Sequence, residues 1–200
     1  MALVWQHPFS AIVAGPSGSG KTYFVLKFIE NANRVIDPPP RKILYCYGAY
    51  QDIFNKLPQV EFHEGLPDHT ALTPRTLVII DDLMSEADQR VTDIFTKHSH
   101  HRDVSVMFLT QNIFYKGART MSLNAHYLVL FKNPRDASQI TFLSRQIFPL
   151  KSKFMIEAYK DATSNPYTYL VIDLKPATDD KMRLRSGVFP DDTHYVYTPK

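Results

Sequence analysis

The chain has 200 residues, a formal net charge of +3, 44% hydrophobic residues and 22% charged residues, the balance of a globular protein with one substantial core. Its single cysteine, Cys46, excludes an internal disulfide and fits a reducing compartment. No apolar run reaches the roughly 20 residues of a membrane span and the stretch before the first strand is too short for a secretory leader, so a soluble intracellular protein with no membrane partner is expected.

The first predicted element is an apolar strand, Phe9 to Ala14. It runs directly into Gly15-Pro16-Ser17-Gly18-Ser19-Gly20-Lys21-Thr22, followed by a helical stretch, Lys21 to Glu30. Strand, glycine-rich loop and helix in that order are what a phosphate-binding P-loop requires. The spacing G-x-x-x-x-G-K-[ST] arises by chance in only about 1% of chains of this length. The glycines let backbone N–H groups turn inward around a phosphate chain, and the helix N-terminus adds its positive dipole end. Lys21 can reach the β- and γ-phosphate oxygens, and the Thr22 hydroxyl can ligate Mg²⁺. Residues 15–22 are therefore expected to bind a nucleoside triphosphate, ATP, with magnesium.

Further along, Asp37-Pro38-Pro39-Pro40 reads as a turn, and Lys42–Tyr47 as a second, buried strand that places Cys46 in the core. A short helix over Asp52–Leu57 and an extended piece over Gln59–His63 precede a polar loop from Gly65 to Pro74. Thr76-Leu77-Val78-Ile79-Ile80 is a continuous apolar run of strand length, expected to be central and buried on both faces. Glu86–Lys97 reads as an amphipathic helix with Val91, Ile94 and Phe95 on one side. Strands follow at Val104–Thr110 and Ala125–Phe131, separated by a loop that carries Lys116 and Arg119. Helices at Asp136–Ile147 and Lys151–Tyr159 and a strand at Tyr167–Asp173 complete the pattern. From Lys175 onward the only visible element is a short strand at Tyr195–Tyr197. The alternation of strands and helices argues for an α/β fold with a mostly parallel central sheet flanked by helices. The expected division is an ATPase domain over residues 1–175 and a C-terminal extension over 176–200, packed on or trailing from it.

The charge is uneven. Between Lys97 and Lys160 there are ten lysines and arginines against three acids, a surplus of seven that leaves the rest of the chain at −4. A basic half beside a nucleotide site suggests a polyanionic partner.

Three further stretches of the chain carry chemistry. Thr76–Ile80 delivers Asp81 and Asp82 to one edge of the sheet, and a strand-borne acid is how such folds build a second magnesium contact. Asp81 takes that role, and Asp82 can polarise a water for attack on the γ-phosphate; a turn cap is the other role open to Asp82, and Glu86 is a second candidate base. The strand Val104–Leu109 ends in Thr110-Gln111-Asn112. If that strand lies between the P-loop strand and the Asp81 strand, Gln111 stands near the γ-phosphate as a sensor, since its amide both donates and accepts. Arg102 stands at the opposite end of the same strand, away from its own nucleotide, so it can serve a neighbouring subunit's nucleotide as an arginine finger. Arg119, Arg135 and Arg145 are rivals for that role. His98, His100 and His101 lack a nearby cysteine and a recognisable ligand spacing, so zinc is not expected.

Gly15–Thr22, Leu77–Asp82, the His101-Arg102-Asp103…Leu109-Thr110-Gln111 block and Phe131-Lys132-Asn133-Pro134-Arg135-Asp136 together resemble the DNA-packaging ATPases of large DNA viruses, of the poxvirus type, and their relatives in virus-like transposons. That family belongs to the additional-strand, FtsK/HerA-like branch of P-loop NTPases. The resemblance spans roughly Phe9 to Leu174. It implies an oligomeric ring that hydrolyses ATP to drive double-stranded DNA into a capsid, with capsid or portal proteins as partners and the host cytoplasm, nucleus or virion as location. It implies Lys21 and Thr22 on nucleotide and Mg²⁺, Asp81 on Mg²⁺, Asp82 as base, Gln111 as sensor and Arg102 as trans finger. An aspartate at Asp82, where the wider superfamily has glutamate, is the departure. Two other classes stay open at this point: a P-loop nucleoside or nucleotide kinase, with Arg135 and Arg145 as lid arginines, and a non-catalytic nucleotide switch.

Overall fold

The computed structural model describes residues 3–68, 71–81, 83, 89–95, 102–113 and 118–199. In chain order these form β1 (Trp5–Gln6), β2 (Ser10–Ala14), α1 (Lys21–Glu30), α2 (Ala32–Val35), β3 (Ile36–Asp37), β4 (Lys42–Tyr47), β5 (Glu61–Glu64), β6 (Thr76–Asp81), α3 (Gln89–Asp93), β7 (Val104–Thr110), α4 (Ala118–Asn124), β8 (Tyr127–Phe131), α5 (Ser138–Ile147), α6 (Ser152–Ala162), β9 (Tyr169–Asp173), β10 (Leu184–Ser186) and β11 (Tyr195–Tyr197).

Nine strands build one sheet in the order β11-β10-β9-β8-β2-β7-β6-β4-β5. The block from β8 to β5 is parallel throughout, and β9, β10 and β11 add antiparallel strands at the β8 edge. A parallel sheet needs both faces covered, and side-chain alternation along each strand supplies two apolar faces. Ala11, Val13, Leu77, Ile79, Met107 and Leu109 pack with Phe24, Val25 and Phe28 of α1. Ile12, Val78, Ile80, Val106 and Phe108 face the other way, onto Val91, Met121, Leu143 and Met155. The P-loop helix therefore covers one face, and α3 to α6 cover the other.

α1 is seated by aromatic rings. Phe28 stands 4.9 Å from Trp5 edge-on, and Phe24 stands 4.8 Å from Tyr169. Trp5 in turn lies 4.1 Å from Tyr127 of β8. These contacts run from the helix to β8 and β9 and fix its position on the sheet.

The strands expected at Lys42–Tyr47 and Val104–Thr110 and the helix expected at Lys21–Glu30 occur with those bounds. Thr76–Ile80 lies inside the sheet, buried throughout, and Cys46 is buried with its thiol pushed up to about 12, chiefly by burial. Other elements differ. The segment expected as a loop holds α4, whose Met121 is buried, so a short amphipathic helix seats there. The tail contributes β10 as well as β11; β10 has three residues, one of them buried, too few for a period to show. The tiny parallel ladder β1–β3 went unforeseen for the same reason. The short helix is a 3₁₀ turn over Asp52–Lys56, and the extended piece after it is shifted to Glu61–Glu64. The basic residues Lys132, Arg135, Arg145, Lys151, Lys153 and Lys160 are exposed.

Phe28 is fully buried and Leu150 is 96% exposed. Phe28→Ala is expected to cost about 3–5 kcal/mol of unfolding free energy, and Leu150→Ala less than about 0.5 kcal/mol. Urea denaturation of both variants checks this, and equal midpoints would contradict the seating of α1.

Candidate functional site

The candidate site forms where β2, β6 and β7 end. β2 pairs with β7 in register, Ala14 opposite Thr110. The pairing runs one step further, with the Gly15 N–H donating to the Thr110 carbonyl at 3.1 Å. The loop thus leaves the sheet still stitched to the strand that carries Gln111. A Cβ on Gly15 would stand 2.6 Å from Ser19 Oγ and 2.7 Å from Phe131 Cβ, so only glycine fits this step.

The loop then closes on itself. The Ser19 N–H donates to the Pro16 carbonyl at 3.2 Å, and Lys21 Nζ donates to the carbonyls of Gly15 (2.7 Å) and Pro16 (3.1 Å). Gly20 precedes α1 with no side-chain cap, and no acid sits in the first turn. The first N–H groups of α1 and its positive dipole end are therefore open to an anion. Ser19 Oγ is buried with no hydrogen-bond partner among the described residues. An orphaned hydroxyl in a glycine-rich loop beside an uncapped helix N-terminus fits a site made for a phosphate ligand.

Asp81 ends β6, 8% exposed. The Tyr45 hydroxyl, buried in the neighbouring strand β4, donates to Asp81 Oδ2 at 2.6 Å. Burial and then the Asp81 charge push the Tyr45 hydroxyl far above the ordinary tyrosine range, so it remains a donor. Sequence reasoning missed Tyr45, because its role depends on β4 lying beside β6 and no spacing signals that. It missed Gln51 too, which follows β4 on the same edge, where the Gly48 N–H donates to the Asp81 carbonyl at 3.2 Å.

β7 lies between β2 and β6, the arrangement on which the Gln111 expectation depends. Thr110 Oγ1 donates to the Asn112 carbonyl and accepts from the Asn112 N–H, a tight turn that leaves Gln111 exposed. A pocket of about 220 Å³ brings together Ser17, Lys21, Thr22, Asp81, Gln111 and Gln51. Thr22 and Asp81 offer it two hard oxygen ligands. Among the described residues no group of three or more His, Cys, Asp or Glu could hold a metal. A divalent cation here would take two protein oxygens and complete its shell from phosphate and water, the usual Mg²⁺ arrangement.

Arg102 is exposed in the turn before β7. The seven residues of β7, about 3.3 Å each, make a strand of roughly 23 Å between it and Gln111, so the two stand on opposite edges of the sheet. Asp103, at φ 56°, is clamped beside it: its carboxylate meets His7 Nε2 at 3.1 Å, and its carbonyl accepts from the Arg75 N–H at 2.7 Å. Arg135 follows β8 on the same edge as residues 15–22, and Arg145 is exposed on α5. Asp82, Glu86, Lys116, the stretch 97–101 and the side chain of Arg119 lie outside the described residues.

No helix of the described residues is long and apolar enough to cross a membrane. No protein-family model matches this sequence, and no curated protein matches it. The structure is similar to that of the genome packaging NTPase B204 from Sulfolobus turreted icosahedral virus 2, solved in complex with AMPPCP, with a TM-score of 0.56. The match covers 96% of this chain and 99% of that one, at 13% sequence identity. The likeness extends over nearly the whole chain and shows a shared fold: α/β, with a large, mostly parallel sheet flanked by helices.

Removing the Tyr45 hydroxyl leaves a buried carboxylate oxygen short of a donor. Tyr45→Phe is expected to lower stability by about 1–3 kcal/mol. Urea titration reads this directly, and an unchanged midpoint would mean that the bond contributes nothing.

Proposed function

We propose that this protein is an ATP-hydrolysing motor that assembles as a ring and packages double-stranded DNA into a viral capsid. The observation that carries the hydrolytic half is the convergence of Lys21, Thr22, Asp81 and Gln111 on one pocket at the ends of three adjacent parallel strands. The fold neighbour is a genome packaging NTPase that holds an ATP analogue, which supports ATP as the ligand and packaging as the use of its hydrolysis. The motif resemblance supports the same reading.

In this reading the N–H groups of residues 15–22 cradle the phosphate chain, and Lys21 leaves the Gly15 and Pro16 carbonyls for the phosphate oxygens. Thr22 and Asp81 hold Mg²⁺, whose charge offsets the negative charge that builds on the phosphates. Tyr45 keeps the Asp81 carboxylate oriented for that duty. Asp82 draws a proton from the attacking water, and Gln111 orients that water and reports loss of the γ-phosphate. The chain leaving Gln111 leads into the segment with Lys116 and Arg119 and then α4. A shift at Gln111 is thereby passed to basic residues that touch the DNA backbone. Arg102, too far from its own pocket, completes the pocket of a neighbouring subunit, and the His7–Asp103 clamp holds its turn in place. Capsid or portal proteins complete the partner set.

Assembled protein is expected to hydrolyse ATP faster with duplex DNA at low salt, and the stimulation should fade as salt rises. ATP turnover indifferent to duplex DNA would defeat the motor reading. Arg102→Ala and Asp82→Asn proteins should each be inactive alone. Mixed assemblies should regain activity, since one interface then pairs an intact Asp82 with an intact Arg102. Confirmed mixed assembly without rescue would remove Arg102 from the trans role.

A further inference from the structure

The P-loop has two flanks, and they differ in chemistry. Toward β7 and β6 lies the polar pocket with Asp81 and Gln111. Toward β8 and β9 lies a wider hollow of about 620 Å³, lined by Gly18, Gly20, Lys21, Thr22, Tyr23 and Tyr167. Two large aromatic rings stand largely in solvent there, Tyr23 at 67% and Tyr167 at 66% exposure. Nothing in the core or in the hydrolytic pocket calls on either ring.

Tyr167 is held in place by its loop. It sits just before β9, which pairs with β8, the neighbour of β2. Its φ of 64° is left-handed, a conformation that aromatic residues rarely adopt and that persists only where the surroundings impose it. The turn that contains it is closed by Thr168, whose hydroxyl donates to the Asn165 carbonyl at 2.8 Å. Its ring lies directly on the last glycine of the P-loop. A Cβ added to Gly20 would stand 3.1 Å from Tyr167 Cδ1, and Gly20 itself has a φ of 106°. The hollow continues as a groove of about 370 Å³, again lined by Tyr23 and Tyr167, toward Gly187 and Tyr195 of the C-terminal hairpin.

The direction of a bound nucleotide follows from these two flanks. Its terminal phosphate must face Asp81 and Gln111, so its sugar and base must leave on the β8–β9 flank. We infer that the Tyr167 ring, with Tyr23 in the same hollow, is the stacking platform for the base of the nucleotide. The inference rests on the nucleotide reading above and deepens it. The side chains of the hollow are Lys21, Thr22 and the two tyrosines. Lys21 and Thr22 are occupied by the phosphate end, which leaves rings as the contact for the base. Stacking on a ring is indifferent to the base edge, because every base has a π-face. ATP and GTP are therefore held alike.

The test measures binding of Mg-ATP, Mg-GTP and Mg-tripolyphosphate to the full chain and its variants by calorimetry, with a melting curve for each variant. Tripolyphosphate engages the loop but carries no base. Tyr167→Ala is expected to weaken ATP and GTP by about tenfold or more each and to leave tripolyphosphate within twofold; Tyr167→Phe keeps the ring and should bind as the parent does. The inference is overturned if Tyr167→Ala binds ATP as the parent does, if it loses ATP and tripolyphosphate equally, or if the loss is confined to one purine. Failure of the parent to bind ATP and tripolyphosphate at all would overturn the nucleotide reading itself, a result distinct from each of these.

Discussion

The geometry of this molecule depends on the parallel, in-register pairing of β2 with β7. That ladder sets Ala14 opposite Thr110 and continues through the Gly15 N–H to the Thr110 carbonyl. In a parallel pair both chains exit at the same edge, so the glycine-rich loop of residues 15–22 and the Gln111 amide leave the sheet side by side. β6 joins on the far side of β7 in the same direction, which brings Asp81 to that edge as well. Lys21, Asp81 and Gln111, spread over ninety positions of the chain, thereby meet in one pocket. A slip of one residue in the β2–β7 register would turn every side chain of β2 to the opposite face. Val13 and Ile12 would exchange cores, and the Gly15 anchor would be lost.

Burial and polarity are divided sharply around that edge. The strand bodies are apolar on both faces and covered by helices, whereas their C-terminal ends carry Asp81, Thr110 and Gln111. Asp81 is the costly member, a carboxylate at 8% exposure. A buried charge needs hydrogen bonds or a counter-ion, and the 2.6 Å bond from Tyr45 supplies one. The same bond holds the carboxylate in one orientation, so a device that offsets burial also prepares the site. The aromatic rings about Phe24 and Phe28 do a related task for α1. They anchor its axis, and with it the direction of its N-terminal N–H groups.

The two ends of β7 give the strand a double role. Gln111 follows one end and Arg102 precedes the other, with a rigid ladder between them. Under the proposed function, Gln111 at one end would meet the subunit's own nucleotide, and Arg102, beside the clamped Asp103 at the other, would meet its neighbour's. The basic residues of α5 and α6, exposed and solvated, add a surface suited to a polyanion, although their scatter by itself selects no partner.

The amino-acid sequence by itself determined the P-loop, the strand order along the chain, the burial of Thr76–Ile80 and the acid at its end. Those features rest on local rules: glycine spacing, apolar runs and turn residues. It also carried the condition under which Gln111 would matter, that β7 lie between β2 and β6. Only the tertiary structure decided that it does, because strand order in a sheet is set by which apolar faces pack best rather than by any local pattern. Tyr45 and Gln51 were invisible for the same reason. Both reach the site from β4, two strands away from β7 in the sheet and thirty or more residues from Asp81 in the chain. Tyr167 is the clearest case. In the sequence it is one tyrosine among eleven, and it reaches the P-loop only because a left-handed turn before β9 lays its ring on Gly20. Contacts between segments distant in the chain are fixed when the sheet closes, and no spacing within either segment announces them.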